Sequence, residues 1–504
     1  MLMGFSSRIR VGLLLGTSVA FVLGCDEYSE HAVIRDDAGV SMSDATIGFA
    51  DAQDTVPDGQ SVPSVDTQFV DAAADDGGDN TEIADQAFTD DEGDVIEPAI
   101  GQPIYRADRV HSNLSPEIVM TLHSIRDRDD GLQNDVFLKA GASSTVSTNT
   151  LHCFAGNDVD LGEYDELRET LEFFLDGNAA GSSPFDRETV AARVGHSASW
   201  VIDGDPAPID SEIDAIAPRF ALLHYGTNDM GLGSTYASAA RVFHDSMMTL
   251  VDTCTEQGII PILFGISPRG DRPEADHWVR TYNAIIRGIA QTNQIPFVDI
   301  YHATRDLVNY GLSEDGIHLN RYGAGSCILT EDGLNYGYNV RNLVALQALD
   351  RVRRSVFDGD SEDAGLRLGG LGSTESPFVV QSLPFAHGAD TAMSTNRRYD
   401  QYSVCSDANE SGPEFVYQFS TDQPRRVRAM VFDSGRVDID LHLLGADPIA
   451  EACIARDHHQ IETTLDPGTY HFVLDTFTDR DGNERSGPYL FVLLECDEDD
   501  SACD

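Results

Sequence analysis

Two short runs, Gly226-Thr227-Asn228-Asp229 and Asp315-Gly316-Ile317-His318, place an amide, a carboxylate and an imidazole about ninety residues apart. That set of groups suits acyl transfer. A carboxylate three residues before an imidazole in one compact turn can accept from its Nδ1–H, fixing the tautomer so that Nε2 faces a nucleophile as general base. Taken alone, Asp315 capping a helix and His318 in a structural role would read the same. Asn228 follows the apolar run Phe220 to Tyr225, and its side-chain amide is a candidate oxyanion donor. An Asx turn closing a strand is the alternative there.

Two more loops offer the remaining parts. Gly141-Ala142-Ser143 follows a strand that ends at Leu138, and a Gly before a Ser lets the backbone bend sharply and presents the hydroxyl at a helix N-terminus with free amides. A capping Ser would look the same. Gly195-His196-Ser197 comes after Ala191 to Val194, where an unshielded Gly N–H could meet a developing negative charge, or simply make a turn.

The elements that must position these loops are visible as a change of period. Val136 to Leu138, Phe220 to His224, Ile259 to Phe264 and Ile295 to Ile300 are largely apolar runs of the kind buried parallel strands require, with Pro296 at the start of the last. Between them Tyr236 to Gln257 and Asp276 to Asn293 carry apolar residues at helical spacing. This is βαβ repetition, and parallel α/β sheets gather ligand chemistry at the carboxyl ends of their strands.

With Gly141-Ala142-Ser143, Gly195, Gly226-Thr227-Asn228-Asp229 and Asp315-Gly316-Ile317-His318 in this order, residues 130 to 350 resemble the four sequence blocks of the SGNH (GDSL-like) hydrolase family. The resemblance implies a three-layer α/β/α flavodoxin-like domain of the esterase, lipase, deacetylase and thioesterase kind, needing no metal or other cofactor. It implies Ser143 as nucleophile, His318 as base and Asp315 as its orienter, with Ser143 N–H, Gly195 N–H and Asn228 forming the oxyanion hole. The family usually has Asp where this chain has Ala142, and the change removes a carboxylate that helps organise the nucleophile loop. A one-residue shift would make Ser144 the nucleophile, but the Gly-x-Ser spacing favours Ser143.

The rest of the chain divides by composition. Arg8 and Arg10 precede an apolar run, Val11 to Leu23, of signal-peptide length, and Val22-Leu23-Gly24-Cys25 resembles a bacterial lipobox. Residues 1–25 are thus expected to be a lipoprotein signal with Cys25 as the lipidated residue; a plain secretory signal is the alternative. Either way the mature chain is expected in the cell envelope, facing the periplasm or exterior. Residues 26–100 are acidic and poor in apolar side chains, with Arg35 the only Lys or Arg up to Pro98, so they are expected to be a disordered tether about 50 Å across on average.

The hydrolase-like domain is expected over 101–360, a Gly-rich linker over 361–375, and a small all-β sandwich with an acidic tail over 376–504. Short alternating strands at Val416 to Phe419, Arg428 to Phe432, Ile439 to Leu444 and Tyr470 to Asp475 support the sandwich. Leu465-Asp466-Pro467-Gly468-Thr469-Tyr470, with Gly412 to Tyr417 and Asp438-Ile439-Asp440-Leu441, resembles bacterial pre-peptidase C-terminal domains, which implies a secreted, non-catalytic accessory module.

Eight cysteines in an exported chain suggest disulfides. Cys153 and Cys327 follow the first and fourth blocks and are expected to pair; Cys405, Cys453, Cys496 and Cys503 allow three connectivities, and Cys254 is left as a buried helical thiol. No Cys or His spacing resembles a zinc site, and Asp479 to Glu484 lacks the twelfth-position Glu of a calcium loop, so no metal is expected. The net charge of -52 excludes phosphate-backbone binding, so nucleic acid is not an expected partner. The expectation is ester hydrolysis on a small-molecule, lipid or glycan ester, with a membrane contact through the lipid anchor. The alternative is an envelope protein impaired by Ala142 that binds glycan or acyl groups.

Overall fold

The structure is a computed structural model describing residues 101–503; the expected signal over 1–25, Cys25 and the acidic segment lie outside the described residues. Its first part is built on four parallel strands, Gln133–Gly141, Pro218–His224, Ile260–Phe264 and Phe297–Val298, hydrogen-bonded in that order. Beyond the first strand's other edge Ala192 pairs with Gly141 in parallel, so the chain order across the sheet is 2-1-3-4-5. That is the flavodoxin-type doubly wound order, whose loops converge where the winding reverses.

Strands buried on both faces need helices on both. Helices Pro116–Arg126, Arg168–Leu175 and Gly337–Phe357 pack together as one layer, and Tyr236–Glu256 and Pro273–Thr292 form the other. Thr235 opens the Tyr236–Glu256 helix with a reciprocal cap, its side chain and that of Ser238 each accepting from the other's backbone N–H. Pro273 opens the next helix at a position whose N–H has no acceptor. Cys254 is buried in the first of these helices, and burial pushes its thiol up to about 12. Among the described residues no helix is long and apolar enough to cross a membrane.

One expected strand is shorter than its apolar run. The Ile295 to Ile300 run pairs only at Phe297–Val298, because Asp299 accepts from His302 N at 2.8 Å and starts the helix Ile300–Thr304. Ala191 to Val194 contributes one bridge, and Val194, 62% exposed, has no apolar layer to join.

The second part is a sandwich of two sheets. One has the order Gln460–Leu465, Arg425–Phe432, Pro488–Glu495, Phe385–Asp390; the other Cys453–Asp457, Ile439–Leu444, Gly468–Thr476, Phe415–Thr421, Phe378–Val379. Tyr417, Phe419, Val431, Leu441, Leu443, Phe472 and Phe491 fill the space between them. Cys405 pairs with Cys453 and Cys496 with Cys503.

The sandwich is not loosely appended. The outer face of its four-stranded sheet, with Ala386, Met430, Phe432, Leu490 and Val492, shares one continuous apolar core with the α/β part. The contact is made on the helix Pro273–Thr292, where a Cβ on Gly288 would come within 2.6 Å of Leu490 and 3.0 Å of Ala386. Only a glycine lets helix and sheet approach so closely. Arg287 and Gln291 donate to the carbonyls of Pro384 and Ala386 at 2.9 and 3.0 Å. The Gly365 to Gly372 stretch, expected as a free linker, is also held: Leu366–Arg367 pairs antiparallel with Pro103–Ile104, and Leu368 N donates to Gln102 O.

Candidate active site

The first strand ends at Gly141, where a side chain would meet Thr145 Oγ1 at 2.1 Å and the carbonyl of His224 at 2.8 Å. The turn therefore requires Gly, and Ala142 O then accepts from Thr145 N and Val146 N to close a single helical turn, Ser143–Val146. Ser143 is its first residue, so its N–H has no helical acceptor. Behind the turn, Arg341 of the last α/β helix donates to Ser144 O at 3.0 Å and contacts His224 Nδ1 at 3.0 Å. Burial lowers this guanidinium to about 10.

The base comes from the opposite end of the domain. Ser313 and His318 close a tight turn, with Ser313 N donating to His318 O and Gly316 N to Ser313 O. Gly316 has φ +69°, and a Cβ there would lie 2.7 Å from the backbone of Gly270 and Asp271, which pins the turn to a neighbouring loop. Within it, Asp315 Oδ2 is 2.6 Å from His318 Nδ1, while His318 Nε2 is 2.8 Å from Ser143 Oγ. Partial burial alone would raise Asp315. Donors from His318, from the Ile317 and His318 amides and from Ser313 Oγ outweigh it and hold the carboxyl well below the usual range. Asp315 is thus ionised and fully engaged.

The other two loops are stitched to each other. Asn228 Nδ2 donates to His196 O at 3.0 Å, which ties in Gly195, itself at φ +77°. Asp229, buried, accepts from Ala198 N at 2.8 Å and Gly226 N at 2.9 Å. Burial raises its carboxyl to about 6 despite those two donors. Sequence reasoning gave Asp229 and Arg341 no role. For Asp229 the signal was a carboxylate just past a strand end, in reach of two loop amides; nothing local marks Arg341.

The disulfide Cys153–Cys327 joins the segment after the nucleophile to the segment after the base. Asn342 fills the angle between them, bonding Leu151 N, Asn149 O and Ser326 O. A void of about 10 Å³ is lined by Ala142, Ser143, Ser144, His224 to Thr227 and Ile317. Thr227 and Ile317 also border a cleft of about 710 Å³ that runs past Asn228, Tyr236, Arg269 and Trp278 to Gln460 and Glu462 of the sandwich. Tyr236 and Trp278 stack there at 5.9 Å, and the buried Arg428 lies 3.9 Å from the centroid of the Trp278 ring while pairing with Glu462.

Residues 178–325 match the family model described as the GDSL-like Lipase/Acylhydrolase family. Gly195, Asn228, Asp315 and His318 fall inside the match, and Ser143 precedes it. Residues 178–325, within the α/β part, are thus similar to the GDSL-like lipases and acylhydrolases. Among solved structures, the chain is similar to a GDSL-like lipase from Bacteroides thetaiotaomicron at 15% identity, covering 46% of this chain and 98% of that one with a TM-score of 0.29. It is similar to an acetylxylan esterase from Geobacillus stearothermophilus at 13% identity, covering 42% and 93% with a TM-score of 0.29. The pre-peptidase C-terminal domain of a collagenase from Bacillus anthracis is similar at 12% identity, covering 23% and 91% with a TM-score of 0.16. No curated protein matches the chain.

Proposed function

We propose that this protein is an exported serine hydrolase that cleaves carboxylic esters through a covalent acyl-enzyme. One observation carries the reading: Ser143 Oγ, His318 Nε2 and Nδ1, and Asp315 Oδ2 form an unbroken chain at 2.8 and 2.6 Å. Ser143 Oγ attacks the ester carbonyl as its proton passes to His318 Nε2, and the ionised Asp315 stabilises the imidazolium. Ser143 N–H, Gly195 N–H and the second amide proton of Asn228 are the donors assigned to the oxyanion. His318 then returns the proton to the departing alkoxide, and a water repeats the sequence to release the acid and free Ser143.

The space around Ser143 supports a short acyl group. A void of about 10 Å³ has room for roughly one water or methyl, whereas the 710 Å³ cleft with its aromatic pair suits a bulky alcohol such as a sugar. Cys25 is assigned as the lipid anchor at the cell envelope, with residues 26–100 as the tether.

A fluorophosphonate probe tests the mechanism: labelling at Ser143 that vanishes in Ser143→Ala is the expected result. Ala142 favours a second reading, a binder of glycan or acyl groups with an impaired nucleophile loop, and absence of labelling on folded protein would select it. Acetyl esters should be cleaved at least tenfold faster than octanoyl esters of the same alcohol. Metabolic incorporation of palmitate that is lost in Cys25→Ala checks the anchor.

A further inference from the structure

In the five-stranded sheet, the strand Ile439–Leu444 sends Ile439, Leu441 and Leu443 into the space between the sheets, and so sets Asp440, His442 and Leu444 on the other face. That face is not open to water. Tyr402 stacks on His442 with ring centroids 3.6 Å apart, and Cys405–Cys453 fixes the covering segment to the sheet. Beneath this cover Glu410, Asp440 and His442 are each 0% exposed, and one ligand atom from each lies within 4.8 Å of the others.

Their polar atoms have almost nothing to bond. Neither carboxylate oxygen of Glu410 and neither ring nitrogen of His442 has a hydrogen-bond partner. Asp440 Oδ2 accepts from Arg456, while Oδ1 sits 2.6 Å from His458 Nδ1 without hydrogen-bond alignment. Asp475, also buried, takes the Tyr402 hydroxyl at 2.7 Å and the Thr476 amide. Two buried carboxylates, Glu410 and Asp440, thus share the guanidinium of Arg456, which is 3.8 Å from Glu410. Buried charge is ordinarily paired, protonated or bound to metal. A proton on Glu410 would relieve the charge yet leave the ring nitrogens of His442 without a partner. A cation accepts lone pairs from both carboxylates and the imidazole at once.

We propose that Glu410, Asp440 and His442 hold one divalent transition-metal ion, with zinc favoured by the donor set. Two carboxylates and one imidazole suit zinc, whereas calcium calls for six or more oxygens. Both ring nitrogens of His442 are buried without a partner, and one of them lies within ligand reach of Glu410 and Asp440. Asp440 also belongs to a second, outer group with Asp438 and the half-exposed His458, which gives the ion a route from solvent. The bound ion would pin the covering segment to the sheet as a second cross-link beside Cys405–Cys453.

The test uses the full chain, stripped with a chelator and reloaded with zinc, calcium or magnesium chloride. Zinc is expected to bind at one equivalent per chain and raise the thermal midpoint by several degrees. Cobalt in its place should give a visible spectrum with an imidazole ligand. Glu410→Gln and His442→Gln should each weaken zinc binding at least tenfold while ester hydrolysis stays as in the parent chain. Three results overturn the proposal: no zinc retained and no shift, a shift with calcium alone, or full-strength zinc binding in both folded variants. The cobalt spectrum needs no variant, so a variant that fails to fold leaves the question decidable.

Discussion

Two carboxylate and imidazole groupings in this molecule have similar ingredients and opposite surroundings. Asp315 and His318 lie in one exposed turn, and the two oxygens of the Asp315 carboxyl meet four donors between them. Glu410, Asp440 and His442 lie under a cover, and the carboxyl of Glu410 meets none. The first carboxyl is held far below its ordinary range by those donors. The second is pushed far above its range by burial and by the neighbouring Asp440. Donor supply, more than residue type, decides whether an acid beside an imidazole holds a permanent charge or calls for a counter-ion.

The comparison breaks first on rate. Asp315→Asn should lower kcat by about 10⁴-fold, since the wrong tautomer of His318 would face Ser143, and Ser143→Ala by about 10⁴ to 10⁶-fold. Asp440→Asn should leave kcat within twofold. Equal losses from Asp315→Asn and Asp440→Asn in a steady-state assay would erase the distinction drawn between the two groups.

Next comes the covalent tie at each group. Replacing Cys153 and Cys327 by Ser opens a link spanning 174 residues and should cost about 2 to 5 kcal/mol in urea unfolding. Because the Ser313 to His318 turn is also pinned through Gly316, kcat should fall less than tenfold. A complete loss of activity in the folded double variant would show that the disulfide, not the turn, holds the base in place.

In metal-free protein at pH 8, Glu410→Gln should be neutral or stabilising by about 1 to 3 kcal/mol, as expected when a buried acid without donors becomes an amide. Destabilisation of that size would mean that Arg456 already satisfies the carboxylate. The smallest effect is a slope. Asp229 is raised to about 6 by burial, so its contribution to stability is full below pH about 4 and is lost as pH rises through about 6. The loss should reach at most about 1.4 kcal/mol per pH unit. Urea unfolding in steps from pH 4 to 7.5 should show this decline in the parent chain and its absence in Asp229→Asn.

The residues of the candidate triad were legible because each sits at the end of a strand or in a turn of four residues, where short motifs survive as text. The parallel sheet and the sandwich were legible from apolar period, and the Cys153–Cys327 pairing from the places of its cysteines after the first and last loops. The buried acid and imidazole group was not. Asp440 and His442 alternate with Ile439 and Leu441 as any strand with one polar face would, and Glu410 joins them only when the 402–412 cover folds down. Arg341 reads as one more cation on a helix until the helix is docked behind Ser144.

Gly288 has a consequence for how the two halves endure. A helix that offers bare backbone to the side chains of Leu490 and Ala386, and bonds the sheet through Arg287 and Gln291, holds it directly, and no linker need supply that hold. A chain nicked between residues 365 and 372 would therefore keep travelling as one particle, its sugar-sized cleft still walled by Gln460 and Glu462.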